Sequence, residues 1–125
     1  MVRGIGVDII EIARVQRAID QSGSGFLEKV FTPSEIAYCT GKHNSAQHFA
    51  ARFAAKEAVS KALSTGWAGS FRWKDVEIVN EASGQPRVIA HGPLKEQLSS
   101  ASIFVSISHS ETHVVAMVVI EGTLS

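Results

Sequence analysis

The chain has 125 residues and a formal net charge of zero, because 12 Lys and Arg balance 12 Asp and Glu. A general nucleic-acid-binding protein normally carries a basic excess, so we expect no nucleic-acid partner. The 45% hydrophobic content argues against a disordered chain. Charged residues make up only 19%, against roughly 25% in an average soluble domain. We expect a single domain over residues 1–125, with part of its surface covered by other subunits.

We expect the protein to be soluble, cytoplasmic and without a membrane partner. Cys39 is the only cysteine, so no intrachain disulfide can form. Charged residues interrupt the first 20 positions, which is unlike a secretory signal. The longest apolar run, over 114–120, is far shorter than the ~20 residues that span a bilayer.

The first half of the chain predicts one strand followed by helices. In chain order these are a strand over 2–8, a helix ended by a flexible turn over 22–25, a short helix over about 33–40 and a long helix over about 45–64. Thr32, Pro33 and Glu35 carry the signature of a capping box, which places the start of the short helix. The long helix is rich in Ala and free of Gly and Pro until Thr65 and Gly66 end it.

The second half of the chain predicts mainly strands. In order these are strands over 71–80 and 87–90 joined by a turn over 83–86, a short helix over 93–100, and strands over 103–108 and 114–120 joined as a hairpin. Helices and strands therefore occur in blocks. This order predicts an α+β fold with a mainly antiparallel sheet, packed against one long helix and several short helices.

Three charged residues could form a phosphate or metal site. Glu57 and Lys61 lie one turn apart on the long helix, beside a strip of alanines that leaves room for a close approach. An ordinary exposed Glu–Lys pair is the alternative. Asp8, at the end of the first predicted strand, is either the N-cap of the next helix or a hard-cation ligand. Mg²⁺ usually takes one or two carboxylates and leaves its other positions to water and phosphate. Asp8 and Glu57 could supply them, with Lys61 as a point charge for the phosphate.

A histidine closes the strand before the second hairpin turn. Ser108 and His109 are the residue types of a Ser–His hydrolase. Adjacent strand residues point to opposite faces, however, so these two side chains cannot readily pair. His109 is then either a structural histidine or a contact for a phosphate or a base at the strand end.

Three segments of the chain closely resemble one family. They are GIGVDI over 4–9, RFAAKEAVSK over 52–61 and SISHS over 106–110. Their order and spacing are similar to those of the 4′-phosphopantetheinyl transferases, specifically the short bacterial holo-[acyl-carrier-protein] synthase type. A fourth segment, over 26–35, also matches, with Lys29 where the family has Arg. The resemblance covers essentially the whole chain.

The resemblance implies a function in fatty acid biosynthesis. The phosphopantetheine arm of coenzyme A would be transferred to a serine of an acyl carrier protein, releasing adenosine 3′,5′-bisphosphate. Asp8 and Glu57 match the Mg²⁺ ligands of the family, and Lys61 matches a catalytic lysine that contacts the coenzyme A phosphates. The serine proton could go to Glu57, to a metal-bound water or to His109.

The resemblance also implies where the substrates bind. The residues that match coenzyme A-binding positions are Arg52, Lys61, Gly84, Pro86 and His109. In the family the turn at 83–86 comes from a neighbouring subunit of a homotrimer, and Ser83 here replaces the usual Asn. Arg14 matches a position that docks the acidic carrier protein, and Arg17 lies one turn further on a similar face.

Two other functions remain open at this point. A non-catalytic coenzyme A-binding protein could keep the same fold, and its role would then survive changes at Glu57 or Lys61. A phosphohydrolase would transfer the group to water and release 4′-phosphopantetheine without a carrier protein.

Overall fold

A computed structural model describes residues 1–63 and 71–124. The elements are, in chain order, β1 (Val2–Glu11), α1 (Ile12–Ser22), α2 (Ser24–Val30), α3 (Pro33–Thr40), α4 (Ser45–Leu63), β2 (Val76–Asn80), β3 (Pro86–Ala90), α5 (Gly92–Gln97), β4 (Ser100–His109) and β5 (His113–Thr123). The strands form a three-stranded sheet in the order β1-β5-β4 and a separate hairpin, β2-β3. All pairings among the described strands are antiparallel, so the predicted α+β class with antiparallel sheets is confirmed.

The core lies between α4 and the inner face of the three-stranded sheet. Most alanines of α4 and the inward residues of β5 are almost completely buried; they include Ala50, Ala54, Ala58, Ala62, Val114, Ala116, Val118 and Ile120. A Cβ added at Gly6 would lie 1.9 Å from the Ala58 carbonyl oxygen, and one at Gly4 would lie 2.0 Å from that of Ala62. The alanine strip was expected to leave space for a ligand. Its alanines are buried instead, and the backbone of β1 packs directly against Ala58.

We predict that Gly6→Ala destabilises the protein by about 2–4 kcal/mol, because the new methyl group meets backbone that cannot rotate away. Chemical denaturation at one fixed protomer concentration measures the effect. Gly25→Ala is the matched control. Gly25 lies in α2 with its nearest neighbouring atom at 3.9 Å, so alanine should stabilise by about 0.4–1 kcal/mol there. Equal unfolding free energies for the two variants would contradict the close packing of β1 on α4 at Gly6.

β1 is longer than predicted, and this changes the role of Asp8. The strand continues to Glu11, which pairs with His113 of β5, and Asp8 pairs with Ala116 inside the ladder. The N-cap position of α1 is Glu11, so the N-cap interpretation of Asp8 is wrong. Ile9 and Ile10 favour a strand, and the partner strand that decides the matter lies more than 100 residues away in the chain.

Other boundaries also differ from the prediction. The segment over 22–25 is no flexible turn: Gly23, at φ 57°, separates α1 from α2 by a single residue. The strand predicted from residue 71 begins at Val76, after a 3₁₀ turn over Trp73–Asp75. The Trp73 ring packs 5.4 Å from that of Phe53, a long-range contact that draws this segment into the core. The helix predicted over 93–100 is α5, and β4 begins at Ser100. The helix end predicted at Thr65 and Gly66 lies outside the described residues.

The outer face of the three-stranded sheet is apolar and exposed. We use "outer face" for Ile5, Val7, Ile9, Phe104 and Met117, whose exposed fractions range from 47% to 65%. The register brings Val7 opposite Met117, and Val119 lies between Ile5 and Phe104. Contiguous apolar surface of this kind marks an interaction site. None of the described helices is both long enough and apolar enough to cross a membrane.

Candidate active site

Asp8, Glu57 and Lys61 form one cluster at the contact of β1 with α4. Lys61 Nζ donates to Asp8 Oδ1 at 2.8 Å and to the Val7 carbonyl oxygen at 3.1 Å. The Asp8 side chain is only 13% exposed. Its Oδ2 is buried and has no hydrogen-bond partner among residues 1–63 and 71–124. An unpartnered carboxylate oxygen at this depth is costly unless a ligand completes it.

The electrostatics of the cluster favour a cation. Burial and the nearby Asp8 carboxylate raise the pKa of Glu57, while Lys61 and Arg14 oppose that shift. The hydrogen bond to Asp8 raises the pKa of Lys61, so its ammonium group stays charged. Two carboxylates are therefore close enough to repel each other beside a fixed positive charge.

The donor set fits Mg²⁺ as a resident ion. Within the described part of the chain, no group of three or more His, Cys, Asp or Glu side chains is arranged to hold a metal. Mg²⁺ needs only one or two carboxylates when water and substrate phosphate supply the remaining positions. Asp8, through its unpartnered Oδ2, and Glu57 match that requirement.

A cavity of about 260 Å³ lies on another side of α4. Four of the predicted coenzyme A-binding residues line it: Arg52, Gly84, Pro86 and His109. His48 also lines the cavity, and burial together with Arg52, Lys42 and His109 lowers its pKa. The cavity is thus an electropositive environment that suits an anionic ligand.

Arg52 is held rigidly at the edge of this cavity. Its side chain stacks on Tyr38, with Cζ 4.2 Å from the ring centroid, and Nη2 donates to Asn80 Oδ1 at 3.0 Å. The residue is 4% exposed, and its Nε is buried without a partner among the described residues. This buried donor therefore lacks the hydrogen bond that such groups normally make.

The other predicted site residues are placed less tightly. His109 ends β4 on the inner face of the sheet, and its Nδ1 lies 3.4 Å from the Ser110 carbonyl oxygen. Ser108 lies on the opposite face, which argues against a Ser–His pair. Arg14 and Arg17 are exposed on α1. Arg14 is close enough to lower the pKa of Glu57, whereas Arg17 lies 3.6 Å from Glu11.

The carboxylate cluster and the cavity face different directions within one protomer. Arg52 and Glu57 are five residues apart on α4, which places them about 140° apart around the helix axis. Asp8 and His109 lie on the two edge strands of the sheet, separated by β5 and so by roughly 10 Å. One protomer thus presents two separate half-sites.

Lys56 and Glu35 form a buried ion pair that the sequence analysis missed. Both side chains are fully buried, with Lys56 Nζ 2.8 Å from Glu35 Oε1. Lys56 also donates to the carbonyl oxygens of Trp73 and Val76, and Glu35 accepts from the backbone N–H of Ile78 at 2.8 Å. Burial lowers the pKa of Lys56, although Glu35 opposes the shift.

This ion pair joins α3, α4 and β2. It restrains α4, the helix that carries Arg52 and Glu57, relative to α3 and β2. The capping box revealed Glu35 only as a helix signal, and its hydrogen bond with the Thr32 backbone N–H is present at 2.9 Å. Its partner lies 21 residues further along the chain, beyond the range of any local pattern.

The chain belongs to the 4′-phosphopantetheinyl transferase superfamily, whose family model matches residues 4–118. It is 48% identical over 124 residues to the holo-[acyl-carrier-protein] synthase of Geotalea daltonii, covering 97% of this chain and 99% of that protein. The crystal structure of holo-[acyl-carrier-protein] synthase from Neisseria meningitidis superposes with a TM-score of 0.85 at 33% identity, covering 97% and 99% of the two chains. The Helicobacter pylori enzyme in complex with coenzyme A gives 0.82 at 32% identity, with 94% and 99% covered. The family resemblance inferred from the sequence is confirmed.

Proposed function

We propose that this chain is a Mg²⁺-dependent holo-[acyl-carrier-protein] synthase of the cytoplasm. It transfers 4′-phosphopantetheine from coenzyme A to a serine of apo-acyl carrier protein and releases adenosine 3′,5′-bisphosphate, in fatty acid biosynthesis. The observation that carries the proposal is the unpartnered, buried Oδ2 of Asp8 beside Glu57 and Lys61. The similarity to holo-[acyl-carrier-protein] synthases over nearly the full chain supports the same reaction.

The reaction needs charge neutralisation and positioning more than covalent chemistry. The serine Oγ attacks the β-phosphorus of coenzyme A, the bond to the bridging oxygen breaks, and that oxygen leaves on adenosine 3′,5′-bisphosphate. Asp8 and Glu57 would hold Mg²⁺, which when bound supplies positive charge to the pyrophosphate oxygens. Lys61 contributes a second positive charge next to the leaving phosphate. Glu57, with its raised pKa, or a water that it orients accepts the serine proton.

The cavity on the other side of α4 binds coenzyme A in this proposal. Arg52 offers its unpartnered Nε to a phosphate group, and His109 and the turn with Gly84 and Pro86 line the same space. Exposed Arg14 and Arg17 on α1 dock the acidic carrier protein. Arg14 also contributes to the field at Glu57, so it connects docking with the reaction site.

We further propose that the protein acts as a homotrimer with active sites between subunits. The outer face of the sheet is an apolar surface that a second copy would cover. The two half-sites of one protomer face apart, so the cavity of one subunit would complete the carboxylate cluster of its neighbour.

Transfer to a carrier protein tests the function directly. The purified protein is incubated with coenzyme A, Mg²⁺ and several apo-acyl carrier proteins, and mass spectrometry follows each carrier. We expect the carrier serine to gain one phosphopantetheine group and the gain to disappear with EDTA. Coenzyme A binding without any gain on several carriers would favour a non-catalytic binding protein. Release of 4′-phosphopantetheine without a carrier would favour a phosphohydrolase.

A further inference from the structure

Asn80, the last residue of β2, links Arg52 to the turn after β2. Its Oδ1 accepts from Arg52 Nη2 at 3.0 Å, and its Nδ2 donates to the Gly84 carbonyl oxygen at 2.9 Å. A guanidinium group only donates and a carbonyl oxygen only accepts, so these partners permit one orientation of the amide. A single planar group thus sets the position of Arg52 relative to Gly84.

We propose that Asn80 is a positioning residue for coenzyme A. This inference rests on the proposed function, in which Arg52 and the turn bind that substrate. Asn80 itself lines the same cavity as Arg52, Gly84 and His109. Neither the family resemblance nor the motifs in the sequence pointed to it.

Both partners of Asn80 need such a constraint. Tyr38 lies against the Arg52 guanidinium, and the hydrogen bond from Arg52 Nη2 to Asn80 Oδ1 restrains the rotation of that group. Gly84 has φ 90°, and its N–H donates to the Glu81 carbonyl oxygen at 2.8 Å. The Asn80 amide fixes the direction of the Gly84 carbonyl group and therefore the shape of the cavity wall.

The position of Asn80 makes a direct test possible. Its side chain is exposed, so Asn80→Ala should leave the fold intact. We expect the Kd for coenzyme A, measured by calorimetry without carrier protein, to rise roughly 5- to 30-fold. The KM for coenzyme A should rise in parallel, while kcat at saturating coenzyme A stays within about twofold. Glu81→Gln is the matched control: its side chain pairs with Arg87 at 3.9 Å, and its Kd should stay within about twofold of wild type.

A double-mutant cycle separates positioning from a general structural effect. In an Arg52→Ala background, Asn80→Ala should weaken coenzyme A binding by a smaller factor than in the wild type, because Asn80 acts partly through Arg52. Additive effects, or an Asn80→Ala protein that binds coenzyme A like wild type, would overturn the inference. Wild-type protein that binds coenzyme A without transfer would overturn the proposed function alone, because the role of Asn80 is judged on binding.

Discussion

Glu57→Gln is expected to lower the rate of phosphopantetheine transfer at least about 100-fold. The substitution keeps the size of the side chain but removes the charge that, with Asp8, would hold Mg²⁺. It also removes the group proposed to accept or direct the serine proton. Mass spectrometry of the carrier protein at several enzyme concentrations gives the rate.

Glu28→Gln is the control for this change. It makes the same substitution at an exposed acid on α2 and should leave transfer within about twofold of wild type. A Glu57→Gln protein with wild-type activity would contradict both proposed roles of Glu57, as a metal ligand and as the base.

Stability should respond in the opposite sense to activity. In EDTA, Glu57→Gln should melt at the same temperature as wild type or higher, because a partly buried carboxylate no longer repels Asp8. Mg²⁺ should raise the Tm of wild type and fail to raise that of Glu57→Gln. A lower Tm in EDTA would instead mean that Glu57 is a structural residue.

The second large effect is expected on the outer face of the sheet. Ile5→Glu places a charge on an apolar surface whose Ile5 side chain is 61% exposed in the protomer. If a second copy covers this face, the charge would be buried without a partner and the homotrimer should dissociate into monomers. Analytical ultracentrifugation measures the mass, and transfer activity should be lost with the trimer.

Ala37→Glu controls for the added charge, because Ala37 is exposed on α3, away from the outer face. Its mass and activity should match the wild type. A trimeric Ile5→Glu protein would contradict the proposed interface, and a fully active monomer would contradict the shared active site.

Complementation between two inactive variants tests the shared site independently. Glu57→Gln keeps an intact cavity, and Arg52→Ala keeps an intact carboxylate cluster. In mixed trimers, some sites would combine the wild-type Glu57 of one subunit with the wild-type Arg52 of another. Co-expressed variants should therefore regain part of the activity. No recovery would indicate that each site lies within one protomer.

The grouping of Asp8, Glu57 and Lys61 was predictable because its signals are local and chemical. The spacing of Glu57 and Lys61 on one helix and the carboxylate of Asp8 pointed to a phosphate or metal site. The capping box at Thr32 placed the start of α3 correctly. The errors occur where a distant segment decides the local structure: β5 extends β1 past Asp8, and Phe53 draws Trp73 into the core.

The sequence alone determined the balanced charge, the α+β class and the residue types of the carboxylate cluster. Composition needs no structure, and periodicity and helical spacing are patterns over a few residues. Only the tertiary structure decided that Asp8 Oδ2 is buried without a partner among residues 1–63 and 71–124, that Lys56 pairs with Glu35, and that Asn80 joins Arg52 to the turn at Gly84. Each of these depends on groups brought together from different elements, and burial itself is created by the packing of α4 on the sheet. The physical reason is the range of the interactions, since desolvation and contact pairing exist only once the chain has folded.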